Sequence, residues 1–178
     1  AFFQELGIET VTSPATDRAI QERGTALAID EACLSLKIYL GHVAALVGKC
    51  DFILVPRGSN YGRHRSMCTR FASTPDLVRN VFRGSDQRFL SYEIDEEMGG
   101  RSEEDAFLEL GQSLGRPPKA VKRAYRLAKK AEAGHHRERA QKQEQLLKQE
   151  GLKVLLAAHS YVVEDPAMGR AVTDYLKG

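Results

Sequence analysis

Two cysteines occupy positions in the sequence that favour the thiolate form of the side chain over the thiol. Cys33 lies in DEACLSLKIYLGHVAALVGK, where the sequence predicts the first turn of a helix, and a helix N-terminus stabilises an anion. Cys68 lies in the basic stretch RGSNYGRHRSMCTRF, which follows the apolar run FILVP. Thiolates bind soft metals and iron–sulfur clusters. We therefore take Cys33 and Cys68 as candidate metal ligands.

The loop around Cys68 carries four arginines and no acidic residue between Arg57 and Pro75; the arginines are Arg57, Arg63, Arg65 and Arg70. Such a loop offsets the negative charge of a cluster with thiolate ligands. It equally suits the phosphates of a ligand such as an acyl-CoA. His159, at the end of the apolar run LKVLLAA, is a further candidate for a bond to a ligand or to the edge of a cluster.

Each candidate also has an ordinary structural interpretation. Cys33 shares a face with the buried stripe of its helix, where cysteine is often only a small core residue. Cys68 is then an idle loop residue whose neighbouring arginines pair with acids elsewhere, and His159 is a hydrogen-bonded structural histidine. Cys50, in GKCDF, is interpreted as packing, and His42 as structural. The separation of Cys33 from Cys68 matches no zinc-finger pattern, so the fold itself has to assemble any site.

Strands that alternate with helices position these residues. Strands are predicted at 8–12, 52–55, 89–94 and 152–158. The run FILV is apolar throughout, which is typical of a strand covered on both faces. We predict an α/β fold, a parallel sheet with helices on both faces, flavodoxin/Rossmann-like. Ligands of such sheets bind beyond the carboxyl ends of the strands, where the arginine loop begins.

Between these strands, the sequence has residues that are typical of helix ends and of buried helix faces. Asp30 is a good N-cap for a helix whose buried stripe, ending near Gly48, is Leu36, Leu40, Val43 and Val47. An earlier short helix, from Thr16, is expected to stop at Gly24. Thr74 is predicted to cap a helix that has Pro75 at its first position.

Two further helices follow the third predicted strand. Ser102 and Asp105 have the spacing of a capping box. Pro117 or Pro118 begins a long segment that reaches about Glu150, and its middle has almost no apolar stripe. Such a segment is typical of a solvated connector.

These elements predict three parts. Residues 1–115 form a first α/β lobe that carries the candidate cysteines, residues 116–150 form a long bridging helix, and residues 151–178 begin a second α/β lobe that is truncated. The chain opens without Met in a helix-like run and stops at Gly178. We therefore expect the sequence to be a fragment, with strands missing before Ala1 and after Gly178.

Composition narrows the class of protein. The 178 residues include 26 Lys and Arg against 24 Asp and Glu, a net charge of +2, so nothing global indicates a nucleic-acid partner. No stretch is apolar enough to span a membrane, and no signal peptide is visible. Three cysteines suit a reducing cytoplasm. Neither a GxGxxG nor a Walker A pattern occurs, so we predict neither NAD nor direct ATP binding.

The order of several segments resembles one known family. FFQELGIETVTSP, DEACLSLKIYLGHV, CDFILVPR, MCTRF, PDLVRN and VLLAAHSYVVEDPAMG together resemble the 2-hydroxyacyl-CoA dehydratase-related proteins, often labelled CoA-substrate-specific enzyme activases. The resemblance covers almost the whole chain, and the contexts of Cys33 and Cys68 are its most specific parts.

The resemblance implies a flavodoxin-like protein of two lobes with a cysteine-ligated iron–sulfur cluster between them, of the [4Fe-4S] type. Cys33 and Cys68 match family cysteines of the first lobe, and further cysteines are expected from the second. Two thiolates do not complete a four-cysteine cluster, so a cluster here requires a homodimer, the missing half or a dehydratase or activator subunit. Any enzymatic activity would be that of a lyase-type dehydratase component, with the fragment alone inactive.

Two other functions fit the same residues. One is a metal-free module that binds an acyl-CoA or another phosphate-bearing ligand through the loop from Arg57 to Arg70. The other is a structural domain that docks onto another subunit through the long polar helix.

Overall fold

The computed structural model describes residues 1–62, 67–97 and 100–177. The helices are α1 (Phe2–Glu5), α2 (Arg18–Leu27), α3 (Leu34–Leu46), α4 (Thr69–Ala72), α5 (Thr74–Val81), α6 (Glu103–Ser113), α7 (Pro118–Lys148), α8 (Ser160–Val163) and α9 (Arg170–Lys177). The strands are β1 (Phe52–Leu54), β2 (Arg57–Asn60), β3 (Arg88–Leu90) and β4 (Glu93–Asp95).

The strands form two parallel pairs. Each strand of the second pair comes just after one strand of the first pair in the sequence. β1 pairs with β3 and β2 with β4. Between them, Val55 donates its N–H to the carbonyl of Leu90, and Arg57 to that of Tyr92, both at 2.8 Å. Parallel neighbours require a crossover connection, which α4 and α5 supply here. The protein is therefore a mixed α/β fold with parallel strands, as predicted. The more detailed prediction, a larger sheet of the flavodoxin-like kind, stays a prediction.

Helices cover both faces of β1, in agreement with its continuous apolar sequence. Ile53 and Val55 lie in a buried cluster with side chains of α3 and α5, among them Leu40 and Val78. Leu54 points the other way, because side chains alternate along a strand, and packs against a cluster from α1, α6 and α7. The strand thus sits in the core between two helical layers.

A close helix crossing lies beside this core. A Cβ on Gly24 of α2 would be 1.8 Å from the carbonyl oxygen of Lys37, and one on Gly41 of α3 would be 2.1 Å from that of Ile20. Helix α2 therefore continues through Gly24 to Leu27, and the expectation that Gly24 ends the helix is wrong. Glycine is required there by the approach of two backbones rather than by a turn.

Several helix ends agree with the sequence. Gly7, Gly48 and Gly151 have positive φ angles, as glycines beyond helix ends commonly do. Ser102 caps α6, with its Oγ accepting the N–H of Asp105 at 3.1 Å. Helix α7 spans Pro118–Lys148 against the predicted 117/118–150, and its second half is exposed.

Further local predictions are wrong. Residues 8–12 and 152–158 were expected to be strands, but in the described part of the chain neither has a strand neighbour to bond with. Helix α3 was expected to follow an N-cap at Asp30; instead a turn closes between Ile29 and Ala32, and the helix begins at Leu34 with Cys33 as N-cap.

Candidate cysteine site

Cys33 lies at the surface, at the beginning of the longest helix of the cysteine-bearing region. It is the N-cap of α3, with its carbonyl accepting the N–H groups of Leu36 and Lys37 at 3.0 and 3.1 Å. Its thiol makes no capping hydrogen bond, and the residue is exposed. The interpretation of Cys33 as a core residue is therefore wrong, because Cys33 precedes the first residue of α3 and is exposed.

Cys68 occupies the same position on another helix. It is the exposed N-cap of α4, and its carbonyl accepts the N–H groups of Phe71 and Ala72 at 2.9 and 3.0 Å. Just before it, Met67 donates its N–H to the carbonyl of Ser59 on β2 at 3.0 Å, which holds the turn against the sheet. Both candidate ligands are thus exposed thiols on helix N-caps.

Two contacts join the segments that carry these cysteines. Arg70 donates from Nη1 to the carbonyl oxygen of Glu31 at 2.8 Å, which ties α4 to the turn before Cys33. The ring of Phe71 packs edge-on against Tyr39 of α3, with 6.4 Å between ring centroids. The two N-caps therefore belong to neighbouring turns, although they are far apart in sequence.

His159 reaches the same region from the C-terminal part of the chain. Its ring stacks on Tyr161, with centroids 5.2 Å apart and planes at 8°, and Tyr161 packs on Phe71 at 5.6 Å. His159 was expected at a strand end; it precedes α8 instead, where its carbonyl accepts the N–H of Val162. A row of rings thus runs from α3 over α4 to His159.

The two described arginines already have protein partners. Arg57 forms an ion pair with Asp76, and Arg70 bonds to a backbone carbonyl. For Arg57, this agrees with the structural interpretation given above, in which the arginines of the loop pair with acidic residues elsewhere. Arg63 and Arg65, like His64 between them, lie outside the described residues.

Sequence reasoning missed the aromatic residues of this region, Tyr39, Phe71 and Tyr161. Burial raises the pKa of Tyr39, and a hydrogen bond with Thr74 opposes that rise. The only signal in the sequence is that an aromatic residue follows Cys68 by three positions and His159 by two. Nothing in those spacings predicts that the rings meet.

A large cavity lies elsewhere, at the amino ends of β1 and β3. It measures about 600 Å³, is wide open, and is lined by residues 47–51 and 85–88. Cys50 borders it and packs against the Leu40 cluster, in agreement with its interpretation as a packing residue. The ligand-binding end of a parallel sheet is the carboxyl end, whereas this cavity lies at the amino end.

Within the described residues, no three His, Cys, Asp or Glu side chains are grouped so that they could hold a metal ion. Cys33 and Cys68 therefore do not form a complete metal site on their own. No helix in the described part of the chain is long and apolar enough to cross a membrane.

Fold and site together define a class: an α/β protein with parallel strands and two exposed cysteines on the N-caps of neighbouring helices. The chain belongs to the family described as CoA enzyme activase uncharacterised domain, whose model matches residues 1–178. This confirms the resemblance drawn from the sequence. No curated protein matches the chain, and no solved structure matches it.

Proposed function

We propose that this domain supplies Cys33 and Cys68 as two ligands of an iron–sulfur cluster, in an accessory or redox role related to activation of a CoA-dependent enzyme. The observation that carries the proposal is the presence of two exposed cysteines at helix N-cap positions, on turns joined by the bond from Arg70 to Glu31. Thiolate sulfur is the usual ligand of such clusters.

The donor set fits half of a cluster. Four thiolates hold a [4Fe-4S] cluster, and Cys50 borders the cavity at the amino ends of the strands, away from these turns. The other two ligands therefore come from a second copy of the chain, from a further lobe of a flavodoxin-like protein or from a dehydratase or activator subunit. The division into 1–115, 116–150 and 151–178 stays a prediction that accompanies this proposal.

A bound cluster supplies one-electron transfer. The chain's own residues would anchor it and shape its surroundings: Cys33 and Cys68 as ligands, Arg70 by fixing the second turn against the first, and His159 at the edge of the row of rings. The family description, CoA enzyme activase, favours an enzyme as the partner.

The test is anaerobic reconstitution of the natural full-length protein with iron and sulfide, followed by iron analysis and visible spectra. We expect Cys33→Ser and Cys68→Ser each to lose most of the bound iron. Cys50→Ser is the matched control and should retain it. Iron uptake that is absent from the parent, or unchanged in both Cys33→Ser and Cys68→Ser, contradicts the proposal. A dimer that appears only after reconstitution assigns the missing ligands to a second copy.

Variants of the same protein distinguish cluster binding from the rival function, a metal-free module for a phosphate-bearing ligand. Because Arg57 and Arg70 have protein partners, a phosphate-bearing ligand such as an acyl-CoA would depend on Arg63 and Arg65. Calorimetric binding of an acyl-CoA that survives loss of both cysteines but not of Arg63 and Arg65 identifies a metal-free binding module.

A further inference from the structure

A buried threonine connects α3 with the turn between α8 and α9. The Thr16 hydroxyl donates to Oδ2 of Asp165 and lies 3.0 Å from Nε2 of His42. A hydroxyl has one hydrogen, so Nε2 of His42 must carry its own hydrogen and donate to Thr16. Nδ1 of His42 is buried and has no hydrogen-bond partner among the described residues. We call Thr16, His42 and Asp165 the Thr16 network; both of its hydrogen bonds form with a neutral imidazole, which leaves Nδ1 as an acceptor without a partner in the described part of the chain.

Asp165 also organises the turn on which it lies. Its Oδ1 accepts the N–H groups of Ala167 and Met168 at 2.8 and 3.2 Å. Ala167 and Met168 pack on a small cluster formed by α2 and α3. The Thr16 network therefore fastens this turn to α3, the helix whose N-cap is Cys33.

The fastened turn continues a segment that lies against α4. Residues 159–168, which we call the C-terminal cover, include Tyr161 on Phe71 at one end and Asp165 in the network at the other. The chain just before the cover is exposed, with Leu152 at 95% and Leu155 at 91%. The cover itself is held by the contacts of Tyr161, Ala167 and Met168 and by its polar attachment through Asp165.

We propose that the Thr16 network is a proton-sensitive fastener, which holds the C-terminal cover beside the cysteine turns while His42 is neutral and releases it when His42 is protonated. A proton on Nδ1 would be a buried donor without an acceptor, which is costly. The fastener acts on the cover whatever the cysteines bind.

The electrostatic surroundings of His42 determine in which direction the stability of the closed cover changes with pH. Burial lowers the pKa of His42, and the carboxylates of Asp165 and Asp17, which caps α2, oppose this to a smaller extent. Opening the cover hydrates the ring and returns its pKa toward the ordinary 6.5. The open state therefore binds more protons below that value. The closed cover has its full stability above pH 6.5 and loses it as the pH falls.

Other charged groups of the cover are already accounted for. Glu164 pairs with Arg139 of α7 at 3.4 Å, and His159 stacks on Tyr161 at the far end. His159 is a second imidazole within the cover, so it needs its own control.

Amide hydrogen exchange of the full chain, expressed as protection factors at pH 7.5 and 5.5, tests the fastener. In the parent, protection of residues 160–168 should fall by up to about tenfold on acidification, while α6 and the start of α7 keep theirs. His42→Gln keeps a donor near Nε2 but does not titrate, so its cover should show no pH response. Thr16→Val removes the bridging hydroxyl and should lower protection at both pH values.

His159→Gln is the matched control and should respond to pH as the parent does. Protection of the cover that is independent of pH in the parent overturns the proposal without any variant being needed. A response that persists in His42→Gln, or that disappears in His159→Gln, assigns the effect to another group and overturns it as well.

Discussion

Two apolar runs of similar sequence have opposite outcomes in this molecule. Residues 52–55 form β1 and the residue after it, with Ile53 only 3% exposed, whereas residues 152–158 form no strand and leave Leu155 91% exposed. β1 has a parallel neighbour in β3 and helices on both faces. In the described part of the chain, no main-chain N–H of residues 150–158 donates a hydrogen bond. An apolar run becomes a strand only where a neighbour takes its hydrogen bonds and layers cover its side chains.

The contrast extends to the two ends of the chain. Buried hydrophobic residues of the described chain occur from Phe2 to Ala124, and large exposed ones concentrate after residue 145. The hydrophobic core therefore lies in the first part of the chain. The contacts that hold the last part against it include the Thr16 network and the packing of Tyr161 on Phe71.

Truncating one residue in each apolar run gives the largest expected difference. Ile53→Ala leaves a cavity between α3, α5 and β1 and should lower the free energy of unfolding by about 2–5 kcal/mol. Leu155→Ala removes an exposed side chain and should change it by less than about 0.5 kcal/mol. Urea denaturation followed by circular dichroism measures both. Equal losses would mean that the C-terminal run is packed in solution.

The same comparison can be made with two glycines in helices. Gly41→Ala drives a methyl group into the backbone of α2 and should destabilise the protein by about 1–3 kcal/mol. Gly134→Ala on the second half of α7 meets nothing within 4 Å, so the better helix former should stabilise by about 0.5–1 kcal/mol. Thermal unfolding of both variants distinguishes the signs. A stabilising Gly41→Ala would contradict the close crossing of α2 and α3.

Tyrosine ionisation gives the smallest of these effects, visible only in alkali. Burial raises the pKa of Tyr92 to about 12, with the neighbouring Tyr61 and Glu103 contributing. The ionised form is thus favoured in the unfolded chain, so stability is complete below pH 10 and falls as the pH rises toward 12. Tyr92→Phe should weaken this alkaline loss and remove the latest step of an ultraviolet titration. Tyr175→Phe, which removes an exposed phenol, should leave that step in place.

Local rules predicted several of the helix ends. Three features depend only on residues close together in sequence: the glycine turns, the capping box at Ser102 and the extent of α7. The same rules failed at Gly24, where contact with α3 overrides the usual meaning of a glycine. They failed again at 8–12 and 152–158, because β-propensity describes how a residue fits a sheet and does not supply the neighbouring strand.

The candidate site was predictable only in part. Cys33, Cys68, Arg70 and His159 were selected for their chemistry, and the structure brings the segments that carry them together through Arg70, Phe71 and Tyr161. Their roles as ligands or neighbours of a cluster stay predictions. Arg57 has chemistry identical to that of Arg70, and only its position beside Asp76 shows that it serves an ion pair.

From its residues alone, this chain could be assigned to its family, given an α/β fold with parallel strands, and credited with thiols and guanidinium groups suited to particular ligands. Which of these groups meet was decided by tertiary structure. Thr16 and Asp165 are 149 positions apart, and Arg70 and Glu31 are 39 apart. Contacts over such separations depend on how helices cross and strands align, and no short stretch of sequence contains that information.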